Sequence, residues 1–127
     1  MNTCEEAVST PDGGVRFWKN SIVRTLVAFA SVLMLAGFAV LLFFVRSTWT
    51  LLVLHYNVYF GVDILGAWWQ AYILPVFSLF FFGGHLLLSW YFYQRRERIA
   101  AYLLLLAAVL LEFGTFVAIS SIAFINY

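Results

Sequence analysis

Cysteine, charge and histidine are all scarce in this chain, and each scarcity removes a class of function. The single cysteine, Cys4, leaves no partner for an intramolecular disulfide and no basis for a cysteine-held metal cluster. It precedes the first hydrophobic run instead of following it, so it is not placed for lipoprotein acylation and reads as a free thiol. Charged residues make up 10% of the sequence, against about 25% in soluble domains. The formal net charge is +1, which leaves no electrostatic footprint for a nucleic acid. Two histidines, His55 and His85, stand thirty positions apart, too few and too scattered for a histidine-rich metal site. The chain has no P-loop, no glycine-rich dinucleotide turn, no HExxH and no nucleophile elbow. No cofactor is implied, and the expectation is a protein that is not an enzyme.

Apolar surface is what the sequence does have. Hydrophobic residues reach 65% of the 127, with a mean hydropathy of +0.95. A water-soluble globule this apolar could not cover its own exterior, so a bilayer is the natural solvent. The length allows one membrane domain and no separate soluble one.

Residues 1–25 read as a polar tail followed by a basic flank, with Arg16, Lys19 and Arg24 around Phe17 and Trp18, held at lipid headgroups on the cytoplasmic side. Residues 26–45 form the first expected transmembrane helix, since no charge falls between Arg24 and Arg46 and about 20 residues cross the hydrocarbon core. Gly37-Phe38-Ala39 imitates a signal-peptide cleavage site, but the apolar run continues to Val45, where a mature terminus would turn polar, so the span is expected to be retained. Ala36, Gly37 and Ala39 offer a flat patch to a neighbouring helix.

Residues 46–74 are expected to form an outer interfacial segment. Ser47, Thr48 and Thr50 favour leaving the helix. His55, Asn57, Tyr59 and Asp63 then share one parity, and Leu54, Tyr56, Val58, Phe60 and Val62 the other, the mark of an extended ribbon with a wet and a greasy face. A helix would instead align His55, Tyr59 and Asp63, but the β-branched and aromatic content and Gly61 favour the ribbon. Non-helical backbone cannot lie against lipid at membrane depth, so the ribbon belongs in the interface or caps the bundle. Trp49, Tyr56, Tyr59, Trp68, Trp69 and Tyr72 suit headgroup level. Asp63 is placed to N-cap a helix starting at Ile64. His55, Asn57, Tyr59 and Asp63 form a candidate polar face; one histidine and one carboxylate make a poor metal site, and satisfying turn backbone is the simpler role.

The uncharged stretch from Ile64 to Gln94 would make about 46 Å of helix, too long for one straight crossing. Pro75 divides it, since it lacks an amide N–H and clashes with the preceding turn. Residues 64–74 then read as a short interfacial helix or half-turn, and 75–94 as the second transmembrane helix. Residues 95–99 make a tight basic turn, and 100–125 the third helix, antiparallel to the second. Three basic residues flank the amino end, Arg95, Arg96 and Arg98 mark the turn, and Arg46 stands alone between, which puts the amino end and the turn in the cytoplasm and the carboxyl end outside.

Glu112 is the one formal charge inside an apolar span. Its burial at mid-membrane costs about 2.5–3.5 kcal/mol on insertion scales, so it must face protein or be neutral. His85 is its expected partner, at a depth differing by about 6 Å when counted back from the arginine turn. Ser78, His85 and Ser89 form a stripe on one helix; Ala101, Ala108, Glu112 and Thr115 form one on the other; and Gly83 and Gly84 would admit a backbone beside His85. The pair reads either as a bond that holds the bundle together or as a relay for a proton or small polar solute.

The run from His55 to Gly66, HYNVYFGVDILG, followed by Trp68 or Trp69, Pro75 and Glu97-Arg98, resembles a group of short bacterial multi-pass membrane proteins that carry an LHYNxYFGxDxxG stretch. The resemblance covers roughly Leu54 to the end. It implies a bacterial inner-membrane location and supplies no activity. The expected fold is all-α membrane, with three transmembrane helices and an aromatic-rich extracytoplasmic segment between the first two. The expected role is a non-enzymatic membrane subunit or scaffold, associated with another membrane protein or with itself; the alternative is a transporter-like, proton-handling protein built on His85 and Glu112.

Overall fold

The computed structural model describes residues 16–45 and 51–127. The expectations for Cys4 and the tail, and for Arg46, Trp49 and the helix-leaving Ser47, Thr48 and Thr50, fall outside the described residues. Three helices are long and apolar enough to cross a membrane. They are α1 (Ser21–Phe44), α2 (Ile73–Gln94) and α3 (Arg98–Ile125), about 36, 33 and 42 Å long at 1.5 Å per residue.

α1 begins five residues earlier than the hydropathy suggests. A 3-10 turn over Phe17–Lys19 leads to Asn20, whose side chain accepts the Ile22 N–H at 2.9 Å and so caps the helix. Arg24 sits one turn inside, exposed. α2 begins near Pro75, as expected, but the turn before it, Trp68–Tyr72, is 3-10. Pro75 cannot donate to the Ala71 carbonyl, so the α-helical ladder is not continued upward and the chain winds more tightly there.

The turn between α2 and α3 closes in a Schellman pattern. Glu97 N–H donates to Phe92 O at 3.0 Å, and Arg96 N–H to Tyr93 O at 3.2 Å. The position between them is left-handed, and it is filled by Arg96 at φ 67° where glycine is usual. A non-glycine residue in that conformation costs about 1–2 kcal/mol. We expect Arg96→Gly to raise the unfolding midpoint of the chain in detergent, with a gain of about 1 kcal/mol, while weakening its orientational bias in a membrane; a lower midpoint would contradict the strain.

α3 is the central helix. α1 and α2 both pack along it and touch one another little. Small residues set the contact: Ala101 and Ala108 are buried, and Ser89 donates its Oγ to the Ala101 carbonyl at 2.9 Å. Gly37 faces Ile119 so closely that an added Cβ would come within 3.1 Å of its Cδ1. Gly83 and Gly84 do not serve as expected, because a Cβ at either would meet nothing within 4 Å.

The expectation of an all-α chain is corrected by a two-stranded antiparallel hairpin, β1 (Leu52–Asn57) and β2 (Gly61–Gly66). The ribbon reading holds for backbone conformation but not for a single run of alternating faces. The chain reverses at 58–60, where Asn57 Oδ1 accepts the Tyr59 N–H at 2.9 Å and Gly61 takes φ 79°. Pairing runs Val53↔Leu65, His55↔Ile64, Tyr56↔Val62, which leaves Leu54 unpaired on β1 and Asp63 unpaired on β2. An unbroken ladder would set His55 directly opposite Asp63, and these compensating one-residue bulges offset the two by one position. Asp63 lies within β2, and the helix it was expected to cap at Ile64 does not exist.

Candidate functional site

Glu112 lies where the three helices converge. It is 1% exposed, in a narrow crevice with Ser78 and Pro75 of α2, Leu33, Met34 and Gly37 of α1, and Thr115 and Ile119 of its own helix. No lysine, arginine or histidine lines this crevice. Ser78 is 3% exposed and its hydroxyl lies against the Glu112 carboxyl, but neither its Oγ nor Glu112 Oε1 closes a hydrogen bond of full geometry. The crevice admits no water-sized sphere that would supply one.

His85 is not at this level. The Ser89–Ala101 bond fixes the register of the antiparallel pair. Eleven residues back along α2 lies Ser78, and eleven forward along α3 lies Glu112, so these two face each other. His85 falls opposite Leu105, about 10 Å along the axis from Glu112. Its Nδ1 bonds the Phe81 carbonyl of its own helix at 2.8 Å. The structure thus brings Glu112 to Ser78, and no hydrogen bond or ion pair joins it to His85.

The outer polar face divides three ways. His55 Nδ1 and Asp63 Oδ2 approach to 3.3 Å across the two strands, one residue off direct pairing. Asn57 caps the turn. Tyr59 points outward at the tip, 91% exposed between Val58 at 84% and Phe60 at 83%. Beneath the hairpin an open groove of about 780 Å³ runs between it and the ends of α2 and α3. No group of three or more histidine, cysteine, aspartate or glutamate side chains that could hold a metal occurs among the described residues.

Two asparagines that the sequence did not single out hold the two ends. Asn20 Nδ2 donates to Tyr102 Oη at 2.6 Å and to Tyr93 Oη at 3.2 Å, tying the start of α1 to the other two helices. Asn126, just past α3, takes the Val53 N–H on Oδ1 and gives Nδ2 to the Val53 and Ile122 carbonyls, each at 2.8 Å. Its amide acts as a third strand on the free edge of β1. The signal available for both was a lone amide at the edge of an apolar run.

Arg16, Lys19, Arg24, Arg95, Arg96 and Arg98 all gather at the Asn20 end. Arg95 stacks over Tyr91 at 4.8 Å and Arg98 over Tyr93 at 5.6 Å, which fits cations held against aromatic faces. The hairpin and the carboxyl terminus occupy the opposite end. Comparison with known protein families, characterised proteins and solved structures gives no match.

Proposed function

We propose that the chain is a small, non-enzymatic subunit of a bilayer, anchored by three spanning helices, whose hairpin docks a second membrane protein or another copy of itself. The observation that carries this reading is the contrast within the hairpin. Its base is fastened, with Leu52 buried and Val53 bonded to Asn126, while its tip presents Val58, Tyr59 and Phe60 to the surroundings. An exposed apolar tip containing aromatic anchors on a fastened base is the composition of an interaction element. The gathering of six basic residues at the other end supports an orientation with the amino end and the α2–α3 turn in the cytoplasm and the hairpin outside. The HYNVYFGVDILG stretch supports a bacterial inner membrane. Replacing Phe60 with a photo-crosslinking phenylalanine analogue in native membranes is expected to trap one discrete adduct, lost when Tyr59 is changed to serine. Recovery of free monomer alone would contradict the docking role.

A second reading is favoured by the crevice. Buried polar atoms without partners are rare and call for a cause, and here Glu112 Oε1 and Ser78 Oγ face each other at mid-bundle. This supports a transporter-like, proton-handling site in which Ser78 takes the position expected of His85. Glu112→Gln is then expected to abolish pH-dependent flux in liposomes; equal flux in the variant, or none in the parent, removes this reading.

A further inference from the structure

The groove beneath the hairpin has a vertical gradient of polarity. Its upper rim holds His55, in contact with Asp63, and Gln70. Its lower wall is apolar apart from Ser121, whose hydroxyl donates to the Val117 carbonyl of its own helix at 2.9 Å, and reaches Phe77 on α2 and Ala118 on α3, about 10 Å below Ile125. Polar above and apolar below, opening sideways between two spanning helices, is the profile of an amphiphile that enters from the bilayer. The charges select among amphiphiles. Among the described residues, this end carries one side-chain carboxylate, Asp63, and no lysine or arginine. Asp63 is one-third exposed and His55 more so, leaving both open to a ligand. Gln70 Oε1 accepts the Ala67 N–H at 3.0 Å, and its amide donors make no hydrogen bond among the described residues.

We propose that this groove seats one acyl chain of a phospholipid whose primary-ammonium headgroup lies on Asp63. The phosphate then faces the His55 ring and the Gln70 amide, and the chain runs down past Ile73 and Phe77. An ammonium headgroup gains a charge-assisted contact with the Asp63 carboxylate that a neutral glycerol headgroup cannot make, so the site discriminates by headgroup. The inference stands apart from the docking role, because residues 58–60 do not line the groove.

The test is native mass spectrometry of the full chain released from micelles, titrated with dioleoyl phosphatidylethanolamine or dioleoyl phosphatidylglycerol. One ethanolamine lipid should be retained about tenfold better than the glycerol lipid, the ratio that one charge-assisted contact supplies. Asp63→Asn should bring the two to parity, with hydrogen exchange in β1 unchanged. Ala118→Phe should fill the lower groove and release both lipids. Tyr59→Ser should leave the preference intact even if it abolishes docking. Equal retention in the parent, a preference for the glycerol lipid, or lipid retained undiminished by Ala118→Phe would overturn the proposal. So would a lipid-free dimer that Ala118→Phe splits, since the groove would then belong to a second copy.

Discussion

Replacing Asn126 with leucine will release the hairpin from the bundle while leaving the three helices in place. The wild-type amide makes three hydrogen bonds of 2.8 Å, two of them to the backbone of Val53. Each such bond contributes about 1 kcal/mol net, and more where the abandoned partner is left dry. The total loss is about 2–4 kcal/mol, which corresponds to roughly a hundredfold faster amide exchange at Val53. Leucine keeps the bulk but offers neither donor nor acceptor. Asn126→Asp will be at least as damaging, because it keeps the acceptor for Val53 N–H but turns the donor into an oxygen against the Val53 carbonyl. Exchange measured peptide by peptide in nanodiscs distinguishes the cases: protection should fall across 51–57 and persist in α2. Unaltered protection of β1 would show that packing by Leu52 and Leu54, not Asn126, holds the hairpin.

The second large effect has an unfamiliar sign. Glu112→Leu is expected to stabilise the bundle by about 1–3 kcal/mol, because it removes a buried carboxyl whose Oε1 makes no hydrogen bond and replaces it with an apolar side chain of similar volume. The reading in which Glu112 braces the bundle through His85 predicts a loss instead. The register excludes that brace, since His85 lies about 10 Å from the level of Glu112 and bonds its own helix. Unfolding in mixed micelles, compared between parent and variant, measures the difference directly. A stabilised variant would mean that Glu112 is kept at a cost to the fold, which is the pattern of a functional group. A destabilised one would restore a purely structural role.

The parts of this fold that depend on distance along the chain were legible in the residues. The number of helices long and apolar enough to span, the Pro75 boundary and the tight arginine turn follow from run length and charge placement, which need no knowledge of neighbours. The parts that depend on pairing were not. The parity of His55, Asn57, Tyr59 and Asp63 assumed one continuous ribbon, whereas two bulges and a reversal at 58–60 send these four side chains to three destinations. Asp63 has the residue type of a helix cap, but strand pairing claimed it. Counting depth from the arginines also failed by nearly a turn, because the contact between Ser89 and Ala101 sets the register, and not the midpoint of the turn. Asn20 and Asn126 each sit alone at the edge of an oily segment, where their reach to Tyr102 and to Val53 depends on which helix lies beside them.

Everything turns on opposite ends lying on opposite faces of a membrane. In a Cys4→Ser background, Phe60→Cys and Gln94→Cys each place one thiol, at the hairpin tip and at the end of α2. Treated with a membrane-impermeant maleimide in sealed vesicles of known sidedness, Phe60→Cys should label from the extracytoplasmic face and Gln94→Cys only once the membrane is opened. Labelling of both from the same face would contradict the threading.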